Sequence, residues 1–262
     1  MKKEPEAIAK VSLSAHDGIP MACDRGGHGN TLLLFIHGWT CRRAYWRPQL
    51  EYFASSWQVA APDLPGHGDT ATNGRATWSV EAFGKDIAAC ARQLEAEKVI
   101  LIGHSMGGPV ALEAARVLKN VATAVVLVDA FVIDYGGLDK ETIQQIAAPF
   151  ESDFMAAMEG LVNQTSTDAT AEHLKKQLVS EMSSADPSWA LPVWHDLLAW
   201  NPRAAFDELE IPISAINGDL IPESARARCA PFVRETIIPG AGHFLQMEDP
   251  EGFNKVLEKI LP

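Results

Sequence analysis

The sequence predicts an α/β fold: a mostly parallel sheet flanked by helices, with a helical insertion. Three observations carry this. Short apolar runs alternate with amphipathic stretches along most of the 262 residues, the pattern of strand–helix–strand units. The runs Thr31–Ile36 (TLLLFI), 99–102 and Ala122–Val128 (ATAVVLV) are apolar throughout, as strands covered on both faces are. Between residues 131 and 200 the alternation stops, and helical stretches replace it.

Each element has a local reason. Ala9–Ser14 and 19–23 read as short strands, and Asp17-Gly18 between them signals a hairpin. The loop Arg25-Gly26-Gly27-His28-Gly29-Asn30 leaves His28 solvated. Thr31–Ile36 runs into His37-Gly38-Trp39-Thr40. An amphipathic helix follows over 45–54, then a strand over 57–61. Ser79 is the expected N-cap of a helix reaching Leu94. Strand 99–102 leads into a Gly-rich turn and the helix 110–118, and Ala122–Val128 ends at Asp129. Helical stretches are read at 140–148, 154–162 and 171–182. Strand 211–216, helix Glu223–Cys229, strand 236–238 and helix Pro250–Ile260 close the chain. The organisation is a core of residues 1–130 and 201–262 and a helical cap of 131–200, expected over the carboxyl edge of the sheet, where open α/β sheets bind ligands.

Composition narrows the function. A net charge of −12 with no basic run argues against nucleic acid or an anionic membrane as partner. The four cysteines are widely spaced, with no C-x-x-C pair, so neither a disulfide framework nor a metal site is expected. The start shows no apolar signal segment and no run long enough to span a bilayer. A cytoplasmic protein is expected, with no cofactor or metal and a small-molecule substrate. Oligomeric state stays open.

The chemistry centres on Gly103-His104-Ser105-Met106-Gly107-Gly108. It fits G-x-S-x-G, with an apolar strand before it and an apolar helix after it. A serine on a strained strand–helix turn needs glycine two residues away on each side, where a Cβ would strike the neighbouring chain. The turn lifts the Ser105 hydroxyl above the sheet edge and sets the Met106 N–H at a helix start, suited to a developing negative charge. A phosphate-binding turn would need G-x-G-x-x-G or a following Gly-Lys-Ser/Thr, and neither is present.

With three further stretches in order, Leu34-Phe35-Ile36-His37-Gly38-Trp39, Pro62-Asp63-Leu64-Pro65-Gly66-His67-Gly68 and Pro239-Gly240-Ala241-Gly242-His243-Phe244, the chain resembles the α/β-hydrolase superfamily, in its serine esterase and lipase-like branch. The likeness extends over nearly the whole chain. It implies a sheet of about eight strands, a helical cap, and a chain order of Ser, acid, His. Ser105 is then the nucleophile and His243 its base, because a serine hydroxyl needs a base within reach and an imidazole can take and return a proton. Backbone N–H groups of Trp39 and Met106 would hold the oxyanion. His37 would orient that loop, and His37, Trp39, Phe131 and Trp194 would border the substrate. His104 stands beside the nucleophile but should point elsewhere, His67 lies in a turn, and His16, His173 and His195 have no matching context.

The acid is open between two residues. Asp219 follows strand 211–216, the usual place in the superfamily, yet it directly follows Gly218 and precedes Pro222 by three. The family pattern has two residues after the Gly, and the Pro four after the Asp. This loop is therefore shortened and Asp219 can point outward. Asp129 ends the strand beside the elbow strand, a position used by some branches, including cofactor-free dioxygenases and certain lipases. Asp129 is preferred, Asp219 is the alternative and Asp134 a distant third. Arg42 and Arg43 could meet a substrate carboxylate, or simply be exposed cations at a helix start.

The expected activity is hydrolysis of a carboxylic ester with a hydrophobic acyl or aryl group, through an acyl-enzyme. Lactonase, C–C hydrolase, perhydrolase and cofactor-free dioxygenase chemistry are alternatives on the same scaffold. A non-enzymatic small-molecule sensor is a third. Serine instead of aspartate at the elbow disfavours a dehalogenase or epoxide hydrolase.

Overall fold

The computed structural model describes residues 7–261. Among these residues one sheet holds eight strands: β1 (Ala9–Ser14), β2 (Pro20–Gly26), β3 (Thr31–Ile36), β4 (Gln58–Pro62), β5 (Lys98–His104), β6 (Ala122–Val128), β7 (Ile213–Asn217) and β8 (Arg234–Ile237). Their order across the sheet is β1-β2-β4-β3-β5-β6-β7-β8. The β1–β2 hairpin and the β2–β4 pair are antiparallel, and every later pair is parallel. This is the α/β-hydrolase fold.

Strand alternation explains why the central runs are apolar without a break. Leu32, Leu34 and Ile36 of β3 join one core cluster, whereas Leu33 and Phe35 join a second on the other face. In β5, Val99 and Leu101 point one way and Ile100 and Ile102 the other. The first face is covered by α2 (Val80–Gln93), α3 (Gly107–Leu118) and α8 (Arg203–Glu208). The second is covered by α1 (Arg47–Phe53) and α11 (Pro250–Ile260). Ser79 caps α2, its side chain accepting from the Ala82 N–H at 3.1 Å.

Between β6 and α8 stand four helices: α4 (Lys140–Ser152), α5 (Phe154–Gln164), α6 (Glu172–Met182) and α7 (Pro187–Ala199). Their buried side chains, among them Met158, Val162, Leu178 and Trp194, merge with the core cluster of the α2–α3 face. Two short helices, α9 (Glu223–Cys229) and α10 (Leu245–Glu248), complete the set. Helix α4 continues through Pro149 to Ser152, four residues past its expected end. The sequence reading names neither α7 nor α8. Helix α7 carries Pro192 inside it and is apolar nearly all round, with Trp189, Ala190, Val193, Trp194, Leu197 and Leu198 buried, so its periodicity is hidden. No helix among the described residues is long and apolar enough to cross a membrane.

Candidate active site

The turn from β5 to α3 is built by steric exclusion. Ser105 has φ 52°, a left-handed conformation that costs a non-glycine residue free energy. Its N–H donates to the Val128 carbonyl at 3.0 Å, and its carbonyl accepts from the Gly108 N–H at 2.9 Å. A Cβ at Gly103 would stand 2.0 Å from the Gly107 carbonyl oxygen, and one at Gly107 would stand 2.3 Å from that of Ile36. Both clashes are with backbone, so the glycines are obligatory. Met106 is the N-cap of α3, and no side chain caps that helix end. The backbone N–H groups at the start of this helix carry the positive end of its dipole, directly after Ser105 in the chain.

His243 lies on the loop after β8 and is buried. Its Nδ1 donates to Oδ2 of Asp129 at 2.7 Å, the arrangement that in a neutral imidazole makes Nε2 the accepting nitrogen. Asp129 sits at the end of β6 with φ 47° and is fully buried. Its backbone N–H donates to the Ile216 carbonyl at 2.9 Å, and its Oδ1 accepts from the Gly218 N–H at 2.8 Å. Both carboxylate oxygens are thus committed. Asp219 is exposed and accepts from the Gly240 N–H at 2.7 Å. The geometry brings Asp129, and not Asp219, to the imidazole. Asp134 pairs instead with Arg228 at 2.9 Å, which holds its carboxyl below the usual range.

Contacts that sequence reasoning missed hold the histidine loop. The His243 N–H donates to the Thr165 carbonyl at 2.9 Å. The His243 carbonyl accepts from Nε2 of His104 at 2.8 Å. Burial pushes the His104 imidazole well below its ordinary value, so it is neutral and its one N–H serves this bond. Behind Asp129, Arg226 donates to the Gly218 carbonyl at 3.2 Å and pairs with Glu235 at 2.9 Å. Backbone partners such as Thr165 leave no signature in sequence. His104 had one in its place beside Ser105, without the direction of its ring.

His37 is buried and also neutral, its imidazole pushed down by burial. Nδ1 donates to the Gly38 carbonyl at 2.8 Å and Nε2 accepts from the Leu64 N–H at 3.1 Å. With both nitrogens engaged by backbone, His37 braces the loop, and it does not line the chamber that Ser105 borders. A Cβ at Gly38 would stand 3.0 Å from the Ser105 Cβ, so the Gly38–Trp39 peptide passes against the serine. The Trp39 indole donates to the Ala190 carbonyl of α7 at 3.0 Å and stacks on Trp194 at 4.3 Å, tying this loop to the inserted helices.

Ser105, His243, Trp39 and Trp194 line one chamber, together with Cys41, Tyr135, Met182 and Phe244. Phe131, expected at the substrate, does not line it. Its ring packs against Tyr135 and Phe206 and borders a separate cavity behind β6 and β7, because the backbone turns after Asp129. Arg43 is not an exposed cation. It is buried and pairs with Asp24 at 3.1 Å, Asp69 at 2.9 Å and Asp63, so each of its three guanidinium nitrogens is engaged by a carboxylate. Arg42 stands 3.9 Å from both Asp69 and Glu181 and borders a different cavity. His16 pairs with Asp86, and His195 with Glu151. His67 is buried against Trp189.

The model of the alpha/beta hydrolase family matches residues 33–256, and the chain belongs to that family. It is 28% identical over 267 residues to the dihydrolipoyllysine-residue acetyltransferase component of an acetoin cleaving system from Cupriavidus necator, covering 98% of this chain and 71% of the relative. Among solved structures it is similar to Est816, described as an N-acyl homoserine lactone degrading enzyme. That match has a TM-score of 0.84, 20% identity and coverage of 96% and 100% of the two chains. A thermophilic esterase from Thermogutta terrifontis matches with a TM-score of 0.81, 23% identity and coverage of 96% and 97%. At these identities the structural likeness speaks for the fold alone.

Proposed function

We propose that the protein is a serine hydrolase that cleaves carboxylic esters through an acyl-enzyme. The observation that carries this is the 2.7 Å bond from His243 to the buried Asp129, with His243 lining the same chamber as Ser105. Ser105 Oγ attacks the ester carbonyl while His243 Nε2 takes its proton. Asp129 keeps the imidazole in the tautomer that can do so and stabilises the imidazolium. The Trp39 and Met106 N–H groups hold the oxyanion. His243 then gives the proton to the leaving alcohol. Water attacks the acyl-enzyme by the same route, forming the acid and restoring Ser105. Residues 131–200 act as a cap that excludes bulk water from this chamber and supplies its apolar wall.

Esterase and lactone-degrading structures share this fold, and a lactone is a cyclic ester open to the same sequence of steps. The test is hydrolysis of p-nitrophenyl acetate and butyrate by wild type and Ser105→Ala, with labelling by a fluorophosphonate. Loss of turnover and of label together in the variant supports the proposal. Turnover at the wild-type rate in Ser105→Ala refutes it.

A further inference from the structure

The chamber at Ser105 is small, about 30 Å³. Five of its residues, Val132, Ile133, Leu161, Thr165 and Trp194, also border a groove of about 570 Å³ at helices α4 and α5. Ile146, Pro149 and Phe150 extend the apolar surface of this groove, and exposed Gln145 and Gln164 stand at its rim. None of the described residues that border it is charged.

One group does not fit an apolar wall that is meant to stay empty. Trp194 is 3% exposed, and its indole N–H has no acceptor among the described residues. Trp39, stacked on it, has the same ring and a satisfied N–H. A buried donor without a partner has lost its water and gained nothing in return. It lies in the one side chain of the stack that borders both the chamber and the groove.

We infer that the groove receives an uncharged apolar group of the substrate and that the Trp194 N–H donates to an oxygen acceptor on that group, making Trp194 a specificity-determining residue. This rests on the serine-hydrolase reading of Ser105. The shared wall includes Thr165, whose carbonyl holds the His243 N–H. The groove therefore adjoins the loop that carries His243, whose imidazole protonates the leaving oxygen. The group it takes is the alcohol part of the ester, and the small chamber at Ser105 takes a short acyl group. The substrate class is a short-chain acyl ester of a bulky, neutral alcohol that carries an ether, hydroxyl or carbonyl oxygen.

The test uses acetate esters that differ by one oxygen for one methylene. 2-Phenoxyethyl acetate is paired with 3-phenylpropyl acetate. 3-Phenoxypropyl and 2-(benzyloxy)ethyl acetates are paired with 4-phenylbutyl acetate. Wild type and Trp194→Phe are compared by kcat/KM, and the ratio within each pair cancels any loss of folded enzyme. In at least one pair Trp194→Phe lowers the ether ester about tenfold more than its carbon counterpart, the worth of one hydrogen bond. Equal factors in every pair overturn the role of Trp194. The isomers 4-phenylbutyl acetate and ethyl 4-phenylbutanoate test the placement: the acetate is turned over at least about tenfold faster, and the reverse order overturns the assignment of the groove to the alcohol. Absence of Ser105-dependent turnover for every ester overturns the hydrolase reading itself, and this inference with it.

Discussion

Asp129→Asn separates the two candidate acids. Asparagine tolerates the left-handed backbone of position 129 and can keep the acceptor for the Gly218 N–H, now 2.8 Å from Oδ1, so the fold survives. The other terminus of the amide is an NH2 facing His243 Nδ1 across the present 2.7 Å. Two donors cannot share that line, and the imidazole moves its proton to Nε2, where it can no longer accept from Ser105. The negative charge that stabilised the imidazolium is lost as well. In triads of this kind the change costs about 10⁴ in kcat, or about 5.4 kcal/mol at 1.36 kcal/mol per decade. Asp219→Asn removes only an exposed charge, and its amide oxygen still serves Gly240, so kcat stays within about threefold, the scale of a surface change. The assay is p-nitrophenyl butyrate hydrolysis at neutral pH, with circular dichroism to verify folding. Loss of activity in folded Asp219→Asn with full activity in Asp129→Asn would refute the reasoning.

Acid should weaken the fold through three neutral rings: burial holds His37 below the ordinary imidazole value and His67 and His104 well below it. Below about pH 6.5 the unfolded chain takes up protons that the native one refuses. Stability present above that pH is therefore lost as pH falls toward the depressed native values, each ring contributing at most about 1.4 kcal/mol per pH unit. Urea midpoints that stay level or rise between about pH 6.5 and 5.5 would contradict this. Gly107→Ala drives a Cβ to 2.3 Å from the Ile36 carbonyl oxygen, and we expect a loss of about 3 kcal/mol or more in chemical unfolding. Gly160→Ala meets nothing within 4 Å in the interior of α5 and should gain about 0.5–1 kcal/mol from helix propensity; a loss there would show that the space is not open.

Much of the fold is legible because it obeys local rules. β1, β3, β6 and α11 fall on their expected bounds, since hairpin, unbroken apolar run and Asp249 with Pro250 each announce an element without tertiary help. β8 begins two residues before its expected start, because an edge strand with mostly exposed side chains carries little apolar signal. Helix α7 is hidden by its own hydrophobicity. Of the site, Ser105, His243 and the Trp39 loop are readable from motif order. Phe131 misleads, because lying two residues from Asp129 does not decide which side of the sheet the ring faces. Arg43 misleads because its partners come from elsewhere in the chain, Asp24 on β2 and Asp63 and Asp69 in the turn after β4.

The shortened loop after β7 resolves into a single device. With Asp219 directly after Gly218, its carboxylate turns outward to the Gly240 N–H, and the Gly218 N–H points back to Asp129. Arg226, held by Glu235, fixes the same Gly218 peptide through its carbonyl. The spacing that puts Asp219 out of reach of the imidazole therefore also supplies the donor that aims Asp129 at it. A loop lengthened to the family spacing would move Asp219 and release the Asp129 Oδ1 in one step. The two carboxylates are alternatives of one loop geometry, and this chain's geometry favours the earlier strand.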